Sequence, residues 1–126
     1  MTARVLVVDD ILPNVKVLEA KLAAEYYDVT TALSGKEALE EMAKAPPDIV
    51  LLDVMMPGMD GPTTLGKLRE IAALEKTPAI FLTAKAMPAE IEHYQSLGAL
   101  GVIVKPFNPT SICQEIETLW DAFHSS

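Results

Sequence analysis

The chain has 126 residues, enough for one domain that buries roughly two-thirds of the surface its unfolded form exposes. Half of the residues are hydrophobic and 22% are charged, which excludes the sparse hydrophobicity and high charge of a disordered chain. Eighteen acidic against ten basic residues give a net charge of -8, and the cations are scattered rather than gathered in a stripe, which argues against direct nucleic-acid binding.

The first element is the short apolar run Val5 to Val8, entered directly from Met1, with none of the longer apolar region of a signal peptide. Ile11, Val15, Leu18 and Leu22 then form a stripe at helical spacing and predict the first helix. A weaker run, Asp28 to Ala32, predicts a strand at a sheet edge. Ser34 followed by Glu37 is a capping-box pattern that opens a second helix. Ile49 to Leu52 and Ala79 to Leu82 are strands three and four. Between them and strand five, Val102 to Val104, Pro88 suits the first turn of a fourth helix and Gly98 its C-terminal cap. Asn108 and Pro109 read as N-cap and first turn of a last helix, whose stripe is Ile112, Ile116, Leu119 and Phe123.

Strands with near-continuous apolarity are covered on both faces, as in a parallel sheet. Repeated βα units with short connections and right-handed crossovers therefore predict one α/β domain over residues 1–126. Its fold is (βα)5, a doubly wound five-stranded parallel sheet of flavodoxin-like order 2-1-3-4-5. That order sets the ends of strands 1 and 3 side by side, where such sheets bind ligands. No stretch approaches the ~20 apolar residues of a membrane-spanning helix. Cys113 is the only cysteine, so no intrachain disulfide forms, and a cytoplasmic setting fits.

Polar groups end the strands: Asp9 and Asp10 after strand 1, Asp53 after strand 3, Thr83 after strand 4, and Lys105 with Pro106 after strand 5. Two carboxylates about 5 Å apart repel by roughly 3 kcal/mol at an effective dielectric near 20, so three together call for a cation. Oxygen donors without His or Cys select a hard ion, magnesium (Mg2+) beside phosphate rather than zinc. Asp53 is a candidate nucleophile that would form an acyl phosphate, with Lys105 neutralising charge and the Thr83 hydroxyl bonding a phosphoryl oxygen. Each group also has an ordinary reading: the aspartates and Thr83 as helix caps or turn residues, Lys105 as a solvated charge. Agreement across four separate strand ends favours the site.

The stretches Val5 to Asp10, Leu51 to Gly61, Leu82 to Ala84 and Val104 to Phe107, with Asp9, Asp10, Asp53, Thr83, Lys105 and Pro106 in place, resemble the response-regulator receiver family of two-component signalling over essentially the whole chain. The resemblance implies a phosphoryl group received on Asp53 from a histidine kinase or histidine phosphotransfer protein. It implies no turnover enzyme, only assistance to the domain's own phosphorylation and dephosphorylation. Asp10, Asp53 and the Met55 carbonyl would bind magnesium directly, Asp9 would act mostly through water, and the bond between Lys105 and Pro106 would be cis. Met55 and Lys85 would flank the path of the water that removes the phosphoryl group. Downstream proteins would dock on the face of helix 4, strand 5 and helix 5.

Many receivers of this kind carry Tyr or Phe three residues before the strand-5 lysine; here that position is Val102. A small, β-branched side chain cannot swing between core and solvent. The loop from Thr83 to Pro88, with Ala84, Lys85 and Ala86, and the fourth helix are then expected to carry the switch, or the switch has a small amplitude. The other readings weighed are weaker. A haloacid-dehalogenase-type phosphatase resembles Asp-x-Asp, where this chain has Asp53 and Met55; an FMN carrier would meet two carboxylates where its phosphate must sit. A degenerate receiver acting as a phosphorylation-independent interaction module conflicts with an intact site. His93 in the fourth helix and His124 in the tail lie away from the strand ends. Trp120 and Cys113 widen the last helix's apolar stripe, as contact surface or as core. The end of the chain soon after that helix fits either a stand-alone receiver or a piece of a longer protein.

Overall fold

The computed structural model describes residues 3–71, 74–84, 87–105, 108 and 111–125. Lys85, Pro106 and Pro109 lie outside them, and with them the expected cis bond and much of the expected switch loop. Ten elements alternate: β1 Arg4–Val8, α1 Leu12–Ala24, β2 Asp28–Ala32, α2 Gly35–Lys44, β3 Ile49–Asp53, α3 Gly61–Arg69, β4 Ala79–Thr83, α4 Pro88–Ser96, β5 Gly101–Val104 and α5 Ile112–Ser125. All five strands are parallel, in the order β2-β1-β3-β4-β5, with β2 at an edge as expected.

The inner strands are apolar on both faces because each face has its own helices, while the edge strand β2 buries only Ala32 fully. On one side Val5, Val7, Leu51, Ile80 and Leu82 pack against Leu18 and Leu22 of α1 and Ile112, Cys113 and Ile116 of α5. On the other, Leu6, Val8, Leu52 and Phe81 pack against Ala38 and Met42 of α2 and Leu65 and Leu68 of α3. Each fully buried Leu, Ile or Phe contributes roughly 1.5–3 kcal/mol, so these two layers drive folding. Cys113 is buried and Trp120 packs on the α1/α5 layer, so the widened stripe of α5 serves the core.

Two expectations for the helices need correction. Ile11 is not on the buried stripe of α1; it is the N-cap residue and 48% exposed, because the helix starts at Leu12, with Pro13 in its first turn, and leaves the Ile11 side chain outside. His124 lies within the span of α5, not in a tail. Phe123, at the end of the α5 stripe, is 39% exposed. The punctuation at Ser34, Pro88 and Gly98 stands, while the start expected at Asn108 and Pro109 involves Pro109, which lies outside the described residues. Ser34 Oγ accepts the Glu37 N–H at 3.1 Å, Pro88 opens α4, and Gly98 takes a left-handed φ of +99° just past α4.

The helices differ in how firmly they are held. Asp60 caps α3 by accepting the Thr63 N–H at 2.8 Å, and the Arg69 guanidinium near its other end donates to the carbonyls of Leu74, Thr77 and Gly98. Helix α4 has Met87 as its N-cap residue, with no side-chain cap, and buries no residue completely. Among the described residues no helix is long and apolar enough to cross a membrane.

Candidate functional site

Backbone pairing carries the ladder past each strand and into the loops. The Asp9 N–H donates to the Ala32 carbonyl at 3.2 Å, the Val54 N–H to Leu82 at 3.0 Å, and the Lys105 N–H to Thr83 at 2.7 Å. Three loop starts are thereby fixed at one edge of the sheet, and with the end of β4 at Thr83 they bring Asp9, Asp10, Asp53, Thr83 and Lys105 together. One oxygen from each of Asp9, Asp10 and Asp53 lies within 4.8 Å of the others.

Asp9 is completely buried. Its Oδ1 accepts the Ile11 N–H at 3.0 Å and its Oδ2 accepts from Asn14 Nδ2 at 3.3 Å. The acidic pair is therefore not the N-cap of α1, a role that falls to Ile11 with no side-chain bond. Lys105 Nζ is 2.9 Å from Asp9 Oδ2 and 2.9 Å from Asp53 Oδ1, so this lysine is an ion-paired bridge and not a solvated charge. Thr83 closes β4 with 5% exposure. Met55 and Ala84 are exposed on the adjoining loops, and Val102 is half-buried on the β5 side.

Three carboxylates face one lysine. Burial, reinforced by the Asp9 charge and by Asp10, pushes the Asp53 carboxyl up to about 6 even though Lys105 opposes the shift. Burial alone would lower the Lys105 ammonium, but its bonds to Asp53 and Asp9 outweigh that and raise it. Asp10 Oδ1 is buried with no hydrogen-bond partner. A buried, unpartnered carboxylate oxygen costs several kcal/mol unless something neutralises it. The donor set therefore fits a hard cation held by oxygens alone.

Two residues complete this edge that sequence reasoning had not assigned. Asn14 sits one turn into α1 and bonds Asp9, a contact that depends on how α1 leaves the strand. Gly61 donates its N–H to the Val54 carbonyl at 2.9 Å, and a Cβ there would collide with the Asp53 carbonyl oxygen and lie 2.9 Å from Val54 Cα. The stretch from Pro57 to Gly61 was the available signal for it. His93 is exposed on α4, away from this edge.

Known proteins share this chain's sequence pattern and fold. The family model described as "Response regulator receiver domain" matches residues 5–117. The chain is 45% identical over 121 residues to the response regulator PleD of Caulobacter vibrioides, covering 94% of this chain and 26% of that protein. It thus spans about a quarter of the length of that curated relative. Among solved structures, the chemotaxis response regulator CheY4 of Vibrio cholerae superposes with a TM-score of 0.90 at 33% identity, covering 94% of this chain and 99% of that one. The N-terminal domain of a response regulator receiver protein from Methanoculleus marisnigri superposes with a TM-score of 0.78 at 38% identity, covering 94% and 96%.

Proposed function

The chain belongs to the response regulator receiver domain family, and on that footing we propose that residues 1–126 form one receiver that takes a phosphoryl group onto Asp53 and changes a protein-binding surface in response. The observation that carries this reading is Lys105 Nζ at 2.9 Å from both Asp9 and Asp53, beside a buried Asp10 oxygen with no partner. A site built only for stability would not leave that oxygen unsatisfied.

In the transfer, an Asp53 carboxylate oxygen attacks phosphorus as the bond from phosphorus to the donor's imidazole nitrogen breaks; the imidazole leaves, and the aspartate becomes a mixed anhydride. Asp53 loses its own charge in that step, so Lys105 is free to follow the negative charge onto the phosphoryl oxygens. The Thr83 hydroxyl would donate to one of them. Asp9 and Asn14 hold the Lys105 end of the site in register. Asp10, Asp53 and the Met55 carbonyl would hold Mg2+, with Asp9 acting through water, and the ion would neutralise the phosphoryl oxygens. Met55 carries no group able to orient water, so it would lengthen the life of the phosphorylated state, with Lys85 on the other side of the water's path.

The donor would be a histidine kinase or histidine phosphotransfer protein, in the cytoplasm. The downstream protein would meet the face of α4, β5 and α5, where a groove of about 400 Å³ runs between β5 and α5 and Val104 is 45% exposed. The test is incubation with acetyl phosphate and magnesium, followed by intact mass. One phosphoryl group should add to the chain, none to Asp53→Asn, and none when the metal is chelated; addition to Asp53→Asn would place the acceptor elsewhere.

A further inference from the structure

We propose that Tyr94 is the side chain that carries the state of Asp53 into α4, its ring moving between its present seat on Phe81 and the cleft beside Thr83. The inference rests on the phosphoacceptor reading above and names the part that reading lacks, the element that answers.

The geometry runs from β4 outward. Phe81 and Thr83 are two residues apart on one strand, so their side chains leave the same face. The ring of Tyr94 lies on Phe81, centroids 5.1 Å apart and planes tilted by 60°, and through this residue α4 packs on the core layer that contains Phe81. Between Tyr94 and Thr83 is a cleft of about 260 Å³, walled by Val54, Met55, Thr83, Ala84, Glu90 and Tyr94. One water in the liquid occupies ~30 Å³, so the cleft has room for far more than a bridging water. A change in the position of Thr83 alters the lining of this space, to which Tyr94 also contributes.

The ring has two places to be. A helical aromatic residue adopts χ1 near 180° or -60° and little between, so its response is a step and not a gradual drift. Val102 borders the same core layer from β5 and has no comparable freedom. Burial, and the Glu90 and Asp60 carboxylates after it, raise the Tyr94 phenol, which therefore keeps its proton and remains a donor toward negative charge.

The experiment uses the full chain labelled with 3-fluorotyrosine, the Tyr94 resonance being assigned from Tyr94→Phe. Acetyl phosphate and magnesium are added, and intact mass is followed alongside fluorine and backbone NMR. The Tyr94 resonance should move on phosphorylation, and the amides of residues 88–96 should shift. Tyr94→Ala should still gain the mass of one phosphoryl group but lose the shifts in α4, while Tyr94→Phe should keep them. Tyr94→Leu replaces Tyr94→Ala if the latter fails to fold. A phosphorylated chain with an unmoved Tyr94 resonance, or a full α4 response without the ring, overturns this proposal alone. No gain in mass overturns the receiver reading and this proposal with it.

Discussion

Helices α3 and α4 follow neighbouring strands of one sheet, yet they are held in opposite ways. Helix α3 has an aspartate cap, four buried positions at Gly61, Thr64, Leu65 and Leu68, and an arginine fastened to three carbonyls. Helix α4 has neither a side-chain cap nor a fully buried residue. A cap contributes ~1 kcal/mol and each buried leucine roughly 1.5–3 kcal/mol, so the two helices differ by several kcal/mol of local anchoring. Segments with few buried contacts are those that open and shift most readily. The same sheet edge thus meets a fixed helix after β3, which keeps Asp53 in place, and a loosely held one after β4, which is free to answer.

The largest expected effect is electrostatic and should fall on the fixed side. The Asp53 carboxyl is raised to about 6 in the folded chain, against 3.8. A raised acid stabilises the fold fully below its unfolded value and loses that contribution as pH rises through the folded value. Without metal, stability relative to Asp53→Asn should therefore fall by up to about 3 kcal/mol between pH 3 and 7, solvent screening setting how much of that is realised. Denaturant unfolding of both proteins across that range would read it, and parallel curves would show that Asp53 is not held in an adverse environment. Magnesium should reverse the loss at pH 7.

A smaller effect should follow from Gly61→Ala, where the new methyl would press on the Asp53 backbone. Overpacking of this kind costs about 1–3 kcal/mol. If α3 is what keeps the phosphoacceptor in place, the variant should also lose phosphorylation; full phosphorylation at wild-type rate would detach the two.

The smallest effect bears on the contrast most directly. Asp60→Ala should cost α3 about 1 kcal/mol, and Met87→Asp should give α4 a similar amount, since Met87 is 61% exposed and its backbone is already extended as a cap requires. Amide exchange should quicken at residues 63–68 in the first and slow at residues 90–96 in the second. Unaltered exchange in α4 would mean that something other than a missing cap keeps it loose.

Much of this was legible in the residues, for reasons that differ by element. The strands were found to within one residue at each end, four of them because a sheet covered on both faces requires unbroken apolar runs; β2, at the edge, is the weaker run. The site was legible because its groups sit where strands stop, and a parallel sheet brings all such ends to one edge. Helix α4 could be bounded by Pro88 and Gly98, although it has no buried stripe to reveal it. Ile11 misled because apolar spacing alone does not say where the first turn begins. Asn14, Gly61 and Tyr94 were missed for one shared reason: each matters through a partner on another element, Asp9, Asp53 or Phe81, and the direction of approach between elements is not written in local pattern.

The bond from Arg69 to the Gly98 carbonyl has a mechanical consequence. Gly98 lies at the end of α4, so the helix is tethered to its rigid neighbour at one extremity, 3.2 Å from a guanidinium that α3 holds still. Nothing comparable fastens the Met87 extremity among the described residues. A rod tethered at one end pivots there, and the arc it sweeps grows with distance from the pivot. Nine helical residues span about 13 Å, so a tilt of only ~10° would carry the far extremity about 2 Å. Tyr94, where the push arrives, is only four residues from that pivot, so a small displacement there is magnified toward the Met87 extremity.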